Sequence, residues 1–431
     1  MDVVIVYERK QRELDNSLFL KIELEKRGLS CDVVQFYEAS KFNLLNLSPP
    51  KVIVVPHLYN TLSMYRVFAR FGHASHIVNM QYEQVLSKKW EELGAHTPKD
   101  QAKKGIHICW GTRVAERLSS SGIEDNHIKI IPPLHLDMLR PELLDGNKKA
   151  QLALDFNLSD KRKWVLFISS FTYANIDKNR MDMNESAAGI PLSDFPIIHT
   201  KSRVEILDWF KSALDIDKET LLIYRPHPDE LSLDLVYDLQ KNYSNFIVIR
   251  ESPVKDWINA CDSVYTWYST SIVEAHFMGK PYSILRPVPL SDYFDSVLLK
   301  HGNFITDKNV FIDEYLTSGT TNFAINDFHM RQYYDVDPVL SSRVKLADLI
   351  CDIIDGGNDI KVRFGMMYLN AKLKSILVVP VYLSTKIFRR NPFGNSSLLG
   401  LIFTEIKNQI ASADERKALE NRISARLENK S

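Results

Sequence analysis

Short runs of β-branched and aromatic residues alternate with longer helix-like segments along most of this 431-residue chain, and this alternation limits the folds that it can adopt. The first half contains six such runs: VVIVY (3–7), CDVVQF (31–36), KVIVVP (51–56), HIVNMQ (76–81), HICW (107–110) and IKIIPP (128–133). The segment NSLFLKIELEKRG (16–28) has apolar residues at helical spacing and a glycine at its end. Such alternation predicts a mostly parallel, doubly wound sheet.

A second series of the same kind follows the polar, irregular segment 135–163, which we interpret as an interdomain connection. Its strand-like runs are WVLFISS (164–170), LLIYRP (221–226), FIVIRES (246–252), SVYTWYS (263–269) and PYSILRP (281–287). Helical patterns lie near 202–214, 229–241 and 270–278. We therefore predict an α/β fold in which two Rossmann-like, doubly wound domains, 1–150 and 151–350, face a cleft, followed by C-terminal helices in 351–431.

Composition narrows the classes of function. Lys and Arg together number 54, as do Asp and Glu, so no overall positive field attracts nucleic acid. The four cysteines form no CxxC pair, which argues against a zinc site or a disulfide framework and fits a reducing cytoplasm. The chain contains neither GxGxxG nor GxxxxGKS/T, which disfavours dinucleotide oxidoreductases and P-loop NTPases. The N-terminal MDVVIVYERK has charged residues too early for a signal peptide, so we predict a cytoplasmic protein.

The stretch LLIYRPHPDE (221–230) places a cation and an imidazole directly after an apolar strand. Ligands of open α/β sheets bind beyond the carboxyl ends of the strands. Arg225 offers a planar fork of donors to a phosphate, and His227 can donate to a phosphate oxygen or protonate a leaving group. The alternative is that His227 caps the next helix and Arg225 forms an ion pair.

The stretch SVYTWYSTSIVEAHFMGKP (263–281) predicts a strand, a cluster of three hydroxyl residues and a helix. Ser269, Thr270 and Ser271 at a helix N-terminus, with its free amide groups, are typical of an anion site, and Glu274 follows in the first turn. A plain helix cap explains one hydroxyl residue but not three in a row. Together with the RPHP loop, this cluster predicts a nucleotide-phosphate site.

These motifs carry a family resemblance. An HP loop followed about forty residues later by an STS…EA…GKP unit resembles bacterial GT-B glycosyltransferases of surface polysaccharides, including CMP-sugar-dependent sialyl and Kdo transferases. The order RPHP…D…S also resembles teichoic-acid CDP-glycerol transferases, and QYEQV, HICWG, FISSF and YRPHP resemble surface carbohydrate biosynthesis proteins over about residues 1–290. The resemblance implies that His227 contacts the donor phosphate and assists its departure. It also implies that Ser269, Thr270 and Ser271 bind the same phosphates.

The first domain is then expected to hold the acceptor. In NMQYEQV (79–85), Glu83 follows a strand end and is a candidate catalytic base or acid, the alternative being a first-turn Glu stabilised by the helix dipole. The D/E-D/E-G base motif of some sialyltransferases has no clear match. Asp177 and Glu8 are further carboxylate candidates, and His57 is a candidate for substrate binding.

Three serines are candidates for the donor side. Ser169 and Ser170 in FISSFTYAN (167–175) are expected to line the substrate site, although serine-rich turns are common. Ser252 in RESPVKDW (250–257) is expected to offer a backbone contact to the nucleotide base.

The C-terminal segment 361–390 has seven basic and no acidic residues. Its longest uncharged run, SILVVPVYLST, has eleven residues and is too short to span a membrane. Two interpretations stay open: a peripheral contact with anionic lipid at the inner face of the cytoplasmic membrane, and packing against the first domain. The end, 414–431, predicts a charged, solvated helix.

We therefore predict a metal-independent glycosyltransferase without a cofactor, in capsule or lipopolysaccharide synthesis. It would move a sugar, Kdo or sialic-acid-like, from a CMP-activated donor to a surface polysaccharide or lipid-linked acceptor. Arg225, His227 and the hydroxyl cluster would neutralise the departing phosphate. The alternatives are a CDP-polyol phosphotransferase and a non-catalytic subunit that binds nucleotide sugar or polysaccharide.

Overall fold

The computed structural model describes residues 1–140, 143–144, 146–189, 191–192, 194–317, 322–357, 359–394 and 397–428, without the side chains of Ala187 and Ala188. These residues form two compact units. Unit 1 comprises Met1–Gln84, His96–Met138 and Arg331–Ser431, and unit 2 comprises Val85–Ala95 and Leu139–Met330.

Unit 1 is built on a parallel sheet of six strands. They are β1 (Val3–Tyr7), β2 (Cys31–Gln35), β3 (Val52–Val55), β4 (His76–Asn79), β5 (Ile106–Cys109) and β6 (Ile128–Ile130). Their order across the sheet is β2-β1-β3-β4-β5-β6. Every residue of β1 and β3 is buried, as expected for parallel strands that helices cover on both faces.

Unit 2 is built on a second parallel sheet of six strands. They are β7 (Trp164–Ile168), β8 (Leu221–Arg225), β9 (Phe246–Val248), β10 (Ser263–Thr266), β11 (Tyr282–Leu285) and β12 (Phe304–Ile305). Their order is β12-β11-β10-β7-β8-β9, and β7 is buried along its whole length at the centre. Both sheets have the doubly wound connectivity that the sequence predicts.

The described residues form seventeen α-helices. They are α1 (Lys10–Lys26), α2 (Thr61–Phe71), α3 (Lys88–Glu92), α4 (Thr112–Ser120), α5 (Leu134–Asp137), α6 (Lys148–Asp155), α7 (Lys178–Ala188), α8 (Asp194–Ile216), α9 (Asp234–Asn242), α10 (Val254–Ala260), α11 (Ile272–Phe277), α12 (Lys308–Leu316), α13 (Asp327–Tyr333), α14 (Ser342–Gly356), α15 (Met366–Ile387), α16 (Leu398–Gln409) and α17 (Ala413–Glu428). Short 3₁₀ turns lie at Ala39–Lys41, Asp100–Lys104, Asp125–His127 and Leu299–His301.

Local sequence signals fix several helix ends. Asn60 and Ser63 form a reciprocal capping box at the start of α2. That helix stops at Gly72, whose φ of +94° favours glycine, and a Cβ there would lie 2.9 Å from Asn46 Oδ1. Asp177, a candidate carboxylate, caps α7 by accepting from the backbone N–H of Arg180 at 2.9 Å.

The structure confirms all eleven predicted strand runs and changes the prediction in three places. The segment 135–163 is not wholly irregular, because it contains α5 and α6. Strand β12 was missed because two residues give no periodic signal. Residues 331–350, assigned to the second domain, belong to unit 1, where α14 packs on α1 and α5 and Asp137 accepts from the backbone N–H of Arg343 at 2.8 Å.

The C-terminal helices complete unit 1. Helix α15 packs on α2, and α17 packs on α1, where Lys21 pairs with Glu420 at 2.5 Å. Helix α15 has 22 residues and is long and apolar enough to cross a membrane. In its most apolar window, 22% is buried in the protein. The limit drawn from the eleven-residue run was therefore too strict, because the helix extends past the flanking lysines.

Candidate active site

The order of the strands determines where each sheet can bind a ligand. In unit 2 the chain passes from β7 outward through β8 and β9, then restarts on the other side of β7 with β10. The loops after β7 and β10 therefore diverge, and ligands of doubly wound sheets bind in the crevice at such a switch point. The loops that contain Ser169 and Ser269 flank this point. In unit 1 the equivalent switch point lies between β1 and β3.

A buried carboxylate, Glu230, holds the RPHP loop in position. Its Oε2 accepts from the backbone N–H of His227 at 3.3 Å and from the hydroxyl of Ser169 at 2.5 Å. Its Oε1 accepts from the hydroxyl of Tyr224 at 2.8 Å. Hydrogen bonds to a carboxylate are strong, so this side chain joins β7, β8 and the loop at one place. Ser169, a predicted substrate contact, thus has its hydroxyl bonded inside the protein.

The contacts of His227 define its tautomer. Its Nδ1 accepts from the backbone N–H of Asp229 at 3.1 Å, so the neutral ring carries its proton on Nε2. Burial lowers the pKa of His227 more than the nearby Asp229 raises it, which favours this neutral form. Among the described residues Nε2 has no hydrogen-bond partner. His227 therefore presents a free N–H donor from a loop whose backbone is fixed.

Arg225 and Ser252, both predicted nucleotide contacts, touch each other. The guanidinium of Arg225 donates to the carbonyl of Glu251 at 2.8 Å and to that of Ser252 at 2.5 Å. Ser252 itself has a φ of +62°. Two of the Arg225 donors are therefore engaged in holding the 251–252 turn beside the RPHP loop, and fewer remain for a phosphate than the sequence suggested.

The hydroxyl cluster follows β10 as predicted, but the helix after it is short. Helix α11 has only six residues and begins at Ile272, and the side chain of Ser271 makes no cap hydrogen bond. The backbone N–H of Ser271 donates to Ser269 Oγ at 3.2 Å, and Thr270 is exposed. An anion site based on a helix N-terminus is therefore weaker than expected, and the hydroxyl groups themselves remain the candidates.

Glu274 lies in the first turn of α11 and is half-buried, with its carboxyl oxygen Oε2 withdrawn from solvent. Burial raises the pKa of its carboxyl to about 7, although Lys255 and a hydrogen bond from Ser271 act in the opposite direction. Its Oε2 has no hydrogen-bond partner among the described residues. A carboxyl that is partly protonated near neutral pH can act both as donor and as acceptor.

Three further polar groups near the same sheet edge are buried and lack partners within the described part of the chain. They are Ser170 Oγ after β7, Trp267 Nε1 after β10, and Nε and Nη1 of Arg286 after β11. Arg286 is held by Asp295, whose Oδ1 accepts from Nη2 at 2.8 Å. An unpaired buried polar group costs about 1–3 kcal/mol, so these atoms are candidate ligand contacts. The sequence analysis identified only Ser170 among them.

In unit 1, Glu83 lies in a charged cluster. Its Oε1 accepts from Arg12 Nη1 at 2.9 Å, and its Oε2 lies 3.1 Å from His96 Nε2. Burial acts to raise the pKa of Glu83, but the hydrogen bond from Arg12 and the charge of His96 outweigh it, so the pKa is lowered. The helix that follows Glu83, α3, begins only at Lys88, so Glu83 is not a first-turn residue. Arg12 and His96 were missed because they come from distant parts of the chain.

His57 belongs to the same cluster and is held in one tautomer. Arg12 Nη2 lies 3.2 Å from Nε2, which must accept because a guanidinium only donates. Nδ1 therefore carries the proton and donates to Gln81 Oε1 at 2.9 Å. His57 also stacks on Tyr59 and lines a cavity at the switch point of unit 1.

Within the described ranges, no group of three or more His, Cys, Asp or Glu side chains is arranged to hold a metal ion.

Comparisons with known proteins bear on the fold. No protein-family model matches the sequence, and no curated protein matches it. A variant of the wall teichoic acid polymerase TagF, soaked with CDPG, matches with 14% identity over 82% of this chain and 89% of that one, at a TM-score of 0.50. A putative UDP-N-acetylglucosamine 2-epimerase from Listeria monocytogenes matches with 12% identity over 85% and 99% of the two chains, at 0.52.

A third solved structure is the UDP-GlcNAc 2-epimerase of Methanocaldococcus jannaschii in complex with UDP-GlcNAc and UDP. It shares 13% identity over 81% of this chain and 99% of its own, at a TM-score of 0.51. At such identities the likeness concerns the fold, and it confirms the predicted two-domain α/β fold of GT-B type.

Proposed function

We propose that this protein is a glycosyltransferase that moves a sugar from a CMP-activated donor to a saccharide acceptor of a bacterial surface polysaccharide. The observation that carries the proposal is His227, a neutral imidazole with a free Nε2–H at the carboxyl end of β8. Glu230 fixes its loop, so the donor is oriented before a ligand arrives. A fixed donor of this kind can stabilise the negative charge that develops on a departing nucleotide phosphate.

The other predicted donor-side residues have supporting roles in this proposal. Ser269, Thr270 and Ser271 would donate hydroxyl hydrogen bonds to the phosphates, together with Ser170 at the same switch point. Arg225 and Ser252 would shape the turn that meets the nucleotide base. Glu274 would contact the nucleotide with its partly protonated carboxyl.

On the acceptor side, Glu83 would take the proton of the attacking hydroxyl. Its lowered pKa keeps it ionised, the form that a base needs, and Arg12 and His96 hold its two oxygens. His57 would bind the acceptor in the adjacent cavity.

A second candidate is transfer of a polyol phosphate from a CDP-polyol. The RPHP…D…S order favours it, and the TagF structure with a similar fold was soaked with CDPG. Both reactions would use the same phosphate contacts. They can therefore be distinguished only by identifying the activating nucleotide and the group that is transferred.

The test is a thermal-shift and calorimetric comparison of CMP, CDP, UDP and GDP on the whole protein, because a ligand of the folded state raises its apparent stability. CMP is expected to raise the unfolding temperature most. If CDP raises it most instead, the polyol reaction is favoured. Stabilisation by UDP alone would contradict both candidates.

Activity then separates an enzyme from a binding subunit. His227→Ala should slow transfer by about 10²–10⁴-fold, the range expected for a positioned donor or acid. The control is His127→Ala, an imidazole of unit 1 that contacts only the carbonyl of Gly105 among the described residues. Normal turnover in His227→Ala would refute the proposed role, and nucleotide binding without any turnover would indicate a non-catalytic subunit.

A further inference from the structure

A cavity of about 420 Å³ lies at the switch point of unit 1. Glu8 after β1, His57 after β3 and Arg66 on α2 give it a polar side. Leu398 and Leu401 of α16 give it an apolar side. Burial raises the pKa of Glu8, which agrees with a carboxyl withdrawn from solvent. A cavity with one polar and one apolar wall suits an amphipathic ligand.

Helix α15 has two apolar stripes on opposite faces. One stripe, which includes Ala371, Val378 and Val381, is buried against unit 1. The other is solvent-exposed and recurs at spacings of four, three, seven and four residues, so its side chains share one face: Leu369, Leu373, Ile376, Leu383 and Ile387. A helix that is apolar all round is normally covered on all sides, and this one is covered on one side only.

Helix α16 also carries exposed apolar side chains, and two of them reach the cavity. Leu398 and Leu401 are 71% and 58% exposed, and the same two side chains line the cavity. Helix α16 packs on α15 through Val381 and Phe403. These two leucines, which we call the leucine rim, are therefore both exposed at the surface and part of the cavity wall, opposite the polar side formed by Glu8, His57 and Arg66.

The charge of α15 and of the segment that leads into α16 is of one sign, and the first acidic residue after it, Glu405 of α16, is paired with Arg9 at 3.1 Å. The sequence has no Asp or Glu between Asp359 and Glu405, while seven Lys and Arg residues lie in 361–390. Lys374 and Lys386 on α15, and Arg389 and Arg390 just after it, are all exposed. Basic side chains beside an exposed apolar face complement an anionic lipid surface.

We propose that α15 and α16 dock unit 1 on an anionic bilayer and that the adjoining cavity receives the saccharide head of a lipid-linked acceptor. The apolar part of that lipid would lie along the leucine rim, and Glu8 and Arg66 would bind its head. The identification of this ligand as an acceptor rests on the proposed function. Because α15 is packed on α2 and α16, it would lie on the membrane surface and not cross it.

The first test is co-sedimentation of the whole protein with vesicles of phosphatidylcholine, with and without phosphatidylglycerol. We expect binding to the anionic vesicles that salt weakens. Leu373 and Leu377, both exposed on α15, would be buried in the apolar part of the bilayer, so L373E/L377E should lower vesicle binding more than tenfold. Lys374→Gln and Lys386→Gln should each lower it about fivefold. Leu47→Glu and Lys26→Gln, exposed positions elsewhere in unit 1, are the matched controls and should bind as the parent protein does.

Two results would overturn the membrane assignment. One is unchanged vesicle binding by L373E/L377E, when the thermal unfolding of this variant matches that of the parent protein. The other is a concentration-dependent dimer that the same variant converts to a monomer, since a second copy of the chain would then cover the face.

The second test uses maltose and alkyl maltosides of increasing chain length, below their micelle concentrations, as probes of the cavity. Affinity should rise by up to about fourfold for each added methylene group that is buried. L398D/L401D should abolish this dependence on chain length, and Glu8→Gln should weaken all the alkyl maltosides by a similar factor. Equal affinity for maltose and dodecyl maltoside, or a chain-length effect that survives L398D/L401D, would refute the cavity assignment. Neither test needs a nucleotide or turnover, so failure of the proposed donor site would be seen separately.

Discussion

At the scale of single residues, charged side chains in this protein determine the direction of neighbouring hydrogen bonds. Glu230 fixes the backbone from which His227 presents its Nε2–H. Arg12 fixes the tautomer of His57 and one oxygen of Glu83. A donor that is already oriented loses less freedom on binding, and this orientation makes these side chains suitable for a transferase.

Glu83→Gln tests the acceptor side. The amide keeps the shape of the carboxylate but cannot take a proton, so transfer should fall at least about 10²-fold while CMP affinity stays the same. CMP binding and sugar transfer should be measured together on this variant. The control is Glu116→Gln, on an exposed surface ion pair. Retention of both properties would remove Glu83 from the catalytic residues, and loss of both would indicate damage to the fold.

The raised pKa of Glu274 makes stability depend on pH. An unfolded Glu titrates near 4.5 and the folded one near 7, so between these values the unfolded chain has released a proton that the folded chain retains. Stability is therefore lost as pH rises from about 4.5 to about 7. Glu274→Gln, which cannot ionise, should be more stable than the parent protein at pH 8 by up to about 3 kcal/mol and similar to it near pH 4.5.

Urea unfolding at the two pH values measures this difference. Glu219→Gln, an exposed control in unit 2, should show no such pH dependence. A stability change in Glu274→Gln that is the same at both pH values would mean that the carboxyl is not protonated in the folded protein.

At the scale of elements, the conformation of the loop after β8 depends on hydrogen bonds to β8 itself and to the end of the neighbouring strand β7. Glu230→Gln keeps the size of the side chain but weakens its bonds to His227, Ser169 and Tyr224. We expect a loss of about 1–3 kcal/mol in unfolding free energy and slower transfer, because the loop is no longer fixed. Asp229→Asn, an exposed neighbour in the same loop, should leave the stability nearly unchanged. Denaturant unfolding and kcat, measured in parallel, check both expectations.

The elements that the sequence predicts well are those with a strong local signal. Continuous apolar runs such as Val3–Tyr7 and Trp164–Ile168 can hardly be anything other than buried strands. The length of α11 could not be predicted, because no local signal in Ile272–Gly279 distinguishes a six-residue helix from a longer one.

The positions of the candidate site residues in the fold were predicted in part for the same reason. His227 and the Ser269–Ser271 cluster directly follow strands, so a topological rule finds them without knowledge of contacts. The partners that orient the site could not be found in this way. Arg12 and His96 meet at Glu83 only because the segments that follow β1 and β4 come together at the carboxyl edge of the folded sheet, and the sequence does not state which side chains will meet there.

At the scale of the whole molecule, the proposed chemistry uses only side chains to balance the phosphate charge. Arg286 and His227 supply donors at the carboxyl edge of the second sheet. Transfer should therefore continue unchanged in excess EDTA when the assay contains no added metal. A rate that EDTA abolishes and Mg²⁺ or Mn²⁺ restores would contradict this expectation, and a plain time course with and without chelator decides it.

Unit 1 takes its sheet from the beginning of the chain and its outer helices from the end. During synthesis, β1 to β6 leave the ribosome long before α16 and α17, by on the order of tens of seconds at ordinary rates of translation. Most of unit 2, Leu139–Met330, emerges in the interval. The apolar surfaces of α1 and α2 that the late helices cover would stay bare for that time, and a nascent chain in this state would be a ready client for chaperones. The cavity, whose apolar wall belongs to α16, would be completed only after α16 has emerged.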